Sequence, residues 1–185
     1  MRRLSLVPLL VGAAIASGCA DSDGAVELAW VFVDRSGDPI FPGGVFSLDD
    51  ERSSCDLPGS IGDQNITYDV RAELEICDPT CAAGCDDDAC IVLPRRVFAC
   101  NTAYGNEPAV PASDDRYRFT VRAVISAPSM DIECRDPEPT CVATPAPRER
   151  LVEAGLVTDL QVYQIALDVD RDGNDRLDLE ACGCA

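Results

Sequence analysis

Toward one end of the sequence, Asp168, Asp170 and Asp172 alternate along the chain and Gly173 follows them. Carboxylates at every second position, with a glycine permitting a sharp bend, suit a hard cation, since calcium takes six to eight oxygens at about 2.3–2.6 Å. Asn174 can add a backbone carbonyl, and Asp178 or Glu180 a further carboxylate. Asp168, Asp170, Asp172, Asn174, Asp178 and Glu180 are therefore the expected metal ligands, and calcium the expected cofactor. The competing reading is a solvated acidic turn. It is weighed against by the mutual repulsion of so many carboxylates without a cation. An ion here would lock structure rather than signal.

Thiols are the second source of chemistry. Eleven cysteines occur, at 19, 55, 77, 81, 85, 90, 100, 134, 141, 182 and 184. Cys77, Cys81, Cys85 and Cys90 lie close enough to suit zinc. No His and no Cys-x-x-Cys pair accompanies them. In an exported chain such thiols oxidise and staple a loop. Setting Cys19 aside leaves Cys55, Cys77, Cys81, Cys85, Cys90, Cys100, Cys134, Cys141, Cys182 and Cys184, an even set that reads as five disulfides. "CRDPEPTC", Cys134 to Cys141, reads as a self-closed hairpin loop, whereas Cys182 and Cys184 would each reach back and tie down the tail.

Little else points to catalysis. Without His there is no Ser-His-Asp triad and no Cys-His pair. GxSxG, GxGxxG and P-loop patterns are absent from the sequence. Glycoside hydrolysis needs only two carboxylates, but 33 acidic residues single out none. The expectation is a non-enzymatic protein. A carboxylate-dependent secreted hydrolase is the first alternative, and a thiol- or metal-binding protein the second. The formal charge is −18, with every positive residue an Arg. Such a surface repels nucleic acid and leaves a protein or glycan as the partner to expect.

The elements that must position these residues are strands. In "TYDVRAELEIC" the set Tyr68, Val70, Ala72, Leu74 and Ile76 is apolar, and Thr67, Asp69, Arg71, Glu73 and Glu75 form the opposite, solvent-facing set. "YRFTVRAVI" alternates in the same way, with Tyr117, Phe119, Val121, Ala123 and Ile125 inward. "AVELAWVFVD" and "LQVYQIALDV" give two more strands, and "GVFSL" and "RRVFAC" two shorter ones. Trp30 belongs to the core by its strand, and Tyr104, in a turn, is the better surface platform. "PRERLVEAGL" reads as a strand, a turn at Glu153–Gly155 and a second strand, paired as a hairpin. "YDVRA" and "FTVRA" echo one another, each leading into a "C…DP…TC" loop. Turn residues punctuate the whole, so the expected fold is all-β: a single antiparallel β-sandwich over residues 26–167, with disulfide-rich loops.

Three resemblances sharpen this. The acidic loop resembles EF-hand-type and DxDxDG calcium loops. It departs from the former at Asp175, where an apolar residue belongs, and at Leu179, where the bidentate Glu belongs. "WVFVDRSGDPI", "YRFTVRAVI" and "GLVTDLQVYQIAL" resemble strands of small Ig-like and transthyretin-like modules on bacterial surface proteins, which implies a non-catalytic domain, although fold alone does not fix function. The first twenty residues carry the third. Arg2 and Arg3 precede a short apolar run, Leu4 to Ala16, too brief to span a bilayer. Ala16, Ser17 and Gly18 then lead into Cys19, and "ASGC" resembles the lipobox of bacterial lipoproteins. That resemblance implies a signal peptide over 1–18, removed by cleavage, and acyl chains, palmitate among them, on Cys19. A short tether over 19–25 and an acidic tail over 168–185 complete the expected organisation. Ala20, rather than Asp, after the cysteine leans toward the outer membrane. The expected place is thus the cell envelope, with the membrane a partner through Cys19.

Overall fold

The period-two runs fold as strands throughout the described residues of the computed structural model, 22–41, 55–169 and 176–184. In chain order they are β1 (Asp23–Val33), β2 (Pro39–Phe41), β3 (Asp56–Ile61), β4 (Gln64–Cys77), β5 (Arg96–Ala99), β6 (Tyr104–Pro111), β7 (Tyr117–Ala127), β8 (Ile132–Cys134), β9 (Val142–Ala143), β10 (Arg148–Arg150), β11 (Val157–Leu167) and β12 (Leu177–Asp178). The expected "GVFSL" strand and the expected lipidation residue Cys19 lie outside the described residues.

Two sheets face one another. In the first, β1 is central, with β11 and then β9 on one edge and β6 and β2 sharing the other. In the second the order is β10, β7, β4, β3, β12, with β8 also along β7 and β5 also along β4. The inward sets expected for β1, β4, β7 and β11 are buried between the sheets, Trp30, Tyr68, Phe119 and Tyr163 among them. Burial pushes the Tyr163 hydroxyl up to about 12. Trp30 donates its indole N–H to the Cys100 carbonyl at 3.3 Å and packs on Phe98, ring centroids 5.2 Å apart. Gly105 is required beside them, because a Cβ there would come within 2.8 Å of the Phe98 ring.

A disulfide-rich β-sandwich is therefore what the chain forms. Most strand pairs are antiparallel, as expected, but β1 and β11 run parallel from Ala25 beside Val157 to Val33 beside Ala166. β12 lies parallel to β3 as well. The parallel contact gives the molecule two poles. The chain enters at one, where Asp23, Pro111 and Val157 come together. The acidic loop begins at the other, about 35 Å away for eleven residues of strand at ~3.3 Å each.

Four details differ from the sequence expectations. β10 and β11 do follow one another across a turn at Ala154–Gly155, but they enter different sheets and form no hairpin. Val152 turns into the core at this crossing and is fully buried. β1 begins at Asp23, within the stretch 19–25 expected to be a tether. Cys134 and Cys141 do not bond each other. They bond Cys184 and Cys182, because the tail packs into the mouth of their loop, where Glu138 N–H donates to the Cys182 carbonyl at 2.9 Å. Finally, Glu73 and Glu75 are not on a solvent face, since both are buried.

Candidate functional site

The acidic loop can be followed at its two ends. Asp168 leaves β11 with its backbone N–H on the Cys141 carbonyl at 2.8 Å. Its carboxylate accepts from Arg35 Nε at 2.5 Å, on an exposed surface. Asp178, on β12, is spent on the final turn: its Oδ1 accepts from the backbone N–H of Glu180 at 3.0 Å and of Ala181 at 3.3 Å. Glu180 is exposed. Asp170, Asp172 and Asn174 lie outside the described residues. Among the described residues no three carboxylates or thiols converge as a metal cage. Of the expected ligands that are described, Asp168 has one oxygen, Oδ1, on Arg35, and an exposed pair of this kind is worth under about 1 kcal/mol. The expected result for calcium is thus a raised Tm. A site of ~10⁻⁴ M affinity, typical of extracellular modules, gains roughly 1.4 kcal/mol at about 1 mM calcium. Scanning calorimetry with calcium and with chelator checks it, and coincident transitions would remove calcium from the account.

The ten described cysteines are all committed. Cys55 pairs with Cys100, Cys77 with Cys85, Cys81 with Cys90, Cys134 with Cys184 and Cys141 with Cys182. The dense run at 77–90 is a doubly stapled loop rather than a set of thiolates.

A third constellation escaped the sequence reading. On the outer face of the second sheet, Glu73 and Glu75 project side by side from β4. Arg122, from the neighbouring β7, bonds Glu75 Oε2 and lies 3.5 Å from Glu73 Oε1. Arg135, just past β8, bonds Glu73 Oε2 and also Glu133 at 2.7 Å. Arg95 reaches Glu75 at 2.7 Å and Asp88 at 2.9 Å, and Arg122 reaches Asp136 at 2.7 Å. Arg71 is paired with Asp69 and Glu133.

The burial of Glu73, 0 % exposed, raises its pKa despite three nearby guanidinium groups. Glu133, by contrast, is lowered, first by its hydrogen bond from Arg135. A hydrolase needs a carboxyl open to its substrate. Here the arginines lie over both glutamates, and Arg122 itself is only 17 % exposed. The cluster straps the stapled loop, through Arg95 and Asp88, and the loop after β8, through Arg135 and Asp136, onto the sheet.

The signal that could have found it is the echo. "YDVRA" and "FTVRA" are direct neighbours, with Ala72 opposite Ala123. Their arginines, Arg71 and Arg122, emerge on the same outer face.

On the first sheet, Tyr104 is exposed, as expected, and accompanied. Val162 of β11 and Tyr104 of β6 flank Ala29 of β1, and both are exposed. A bulge re-aims Val162: the register slips between Glu27 and Ala29, where Gln161 takes φ 63° and donates its N–H to Asp159. The Tyr104 hydroxyl is raised in pKa, first through its hydrogen bond to Glu27.

These features define a disulfide-rich β-sandwich with a fastened outer face on one sheet and a small apolar platform on the other. Comparison with protein-family models, with curated proteins and with solved structures finds no match to this chain.

Proposed function

We propose that the chain is a non-enzymatic lipoprotein of the bacterial cell envelope, acylated at Cys19, whose sandwich serves as a binding or envelope-structural module. One observation carries the reading: the five bridges use ten of the eleven cysteines and leave over Cys19, the residue that follows the small residues of "ASGC". Five disulfides also belong to an oxidising compartment, outside the cytosol. Two or three acyl chains, at about 0.8 kcal/mol per buried methylene, would hold the protein stably in a leaflet. The pair Tyr104 and Val162 is the surface offered to a protein or glycan partner, and calcium enters only as a stabiliser of the closing loop.

Metabolic labelling with palmitate tests the reading. The expected outcome is a labelled protein in the membrane fraction, in the outer rather than the inner membrane on a density gradient. Cys19→Ser should lose the label and become soluble or accumulate unprocessed. A wild-type protein that takes up no label ends the proposal.

A further inference from the structure

Among the described residues, seven large apolar side chains are exposed, and three of them, Leu151, Leu156 and Val157, share the link from β10 into β11. That link sits at the entry pole. Its backbone is bonded to the strand through which the chain arrives: Gly155 N–H donates to the Asp23 carbonyl and Ala25 N–H to the Leu156 carbonyl, each at 2.9 Å. Ala112 N–H donates to the Ser22 carbonyl at 2.9 Å, and Ser113 N–H to the Val152 carbonyl at 3.1 Å. Gly24 admits no side chain here, because a Cβ would come within 2.6 Å of the Glu153 carbonyl oxygen and 2.7 Å of Val152 Cγ1. The apolar link and the entering strand are thus one packed unit, with a depression of about 500 Å³ between the link and Ala112–Asp114.

We propose that the entry pole is seated on the bilayer, with Leu151, Leu156 and Val157 in the interfacial layer of the leaflet that holds the Cys19 lipid. This rests on the lipoprotein reading above. Cys19 and Ser22 are three residues apart, at most about 10 Å at ~3.5 Å per residue. An interfacial apolar face sinks about 5–10 Å into the headgroup boundary, a matching distance. Leu156 and Val157 are more than half exposed, at 54 % and 57 %, so most of their surface is available to lipid. A second copy is the poorer occupant, since a stable interface takes about 800 Å² a side and three side chains fall short of it. The acidic neighbours Asp23, Asp114 and Glu153 are exposed at the same pole. They favour zwitterionic headgroups and oppose anionic ones.

The test uses the full acylated protein in vesicles of phosphatidylcholine and phosphatidylethanolamine, some carrying nitroxide-labelled acyl chains. Two variants each add one Trp to the buried Trp30: Leu156→Trp at the entry pole and Met130→Trp, exposed and near the other pole. The expected result is a blue shift and about a twofold quenching of the added emission for Leu156→Trp, as an interfacial depth implies, with neither for Met130→Trp. Added phosphatidylglycerol should weaken the quenching at low salt. Mass spectrometry of the same sample reports acylation. An acylated Leu156→Trp protein that stays unquenched overturns the seating and leaves the lipoprotein reading in place. A protein lacking acyl chains overturns both. A blue shift that follows protein concentration without quenching assigns the pole to a second copy and overturns the seating.

Discussion

Reduction of the disulfides is expected to unfold the sandwich outright. Three bridges close long stretches of chain, with sequence separations of 45, 50 and 41 residues. Each is worth about 4 kcal/mol in the chain-entropy treatment. Together they rival the whole stability of an ordinary domain, about 5–15 kcal/mol. The two bridges within the stapled loop span 8 and 9 residues and contribute roughly 2.5 kcal/mol each. Their loss alone should loosen that loop without unfolding the core. Trp30 is the single tryptophan and is buried, so its emission reports the core directly. With a phosphine reductant at neutral pH, emission should move to that of solvated indole, and the ten bridged cysteines should titrate as thiols. A native Trp30 spectrum in a sample with ten titrating thiols would refute the expectation.

Arg122→Ala is expected to be the most costly change on the protein's outer surface. Arg122 is the cation shared by Glu73 and Glu75, and removing one partner of a buried pair costs about 3–5 kcal/mol, because the remaining charge is stranded. Urea denaturation should show this at pH 7. Replacing the unit as a whole, with Arg122→Met, Glu73→Leu and Glu75→Leu, should return to within about 2 kcal/mol of wild type, since apolar substitutes for buried ion groups are often neutral.

The pH dependence follows from the raised Glu73. A carboxyl raised by folding contributes its stability in full below its unfolded value, near 4.3, and loses it as pH rises through the folded value. Stripping Arg122 away raises Glu73 further, so the deficit of Arg122→Ala should narrow as pH falls from 7 toward 4. Glu133 runs the opposite way. Its stabilisation is present above its unfolded value and fades as pH falls through its lowered folded value, and its exposure keeps this small. A deficit constant across that range would place the loss in packing rather than charge.

Local chemistry was legible in the sequence, and partners distant along the chain were not. Alternation from Tyr68 to Ile76 and from Tyr117 to Ile125 located two core strands, because half-buried strands write their burial into a period of two. The same rule sent Glu73 and Glu75 to solvent. What buries them is Arg95, Arg122 and Arg135, 20 to 62 residues away, which no local pattern records. Parity gave the number of disulfides, but adjacency misassigned Cys134 and Cys141, since the tail that separates them comes 41 to 50 residues later. The direction of β11 beside β1 leaves no trace in either strand. At the calcium-like loop, spacing marked the oxygens, while Arg35, which claims Asp168, lies 133 residues earlier.

The parallel pairing of β1 and β11 also sets how the sandwich would respond to load. With the entry pole held at a bilayer as proposed, tension applied at the far pole would pull β1 by its first residue and β11 by its last. The backbone rungs between them, from Ala25 to Val33, then lie across the pull and share it in shear, where an antiparallel hairpin would open rung by rung. Beyond β11 the line of force passes to Cys141, whose carbonyl holds Asp168, and through the Cys141–Cys182 bond to the tail. The two poles of the sandwich are thereby joined by a covalent and hydrogen-bonded strut.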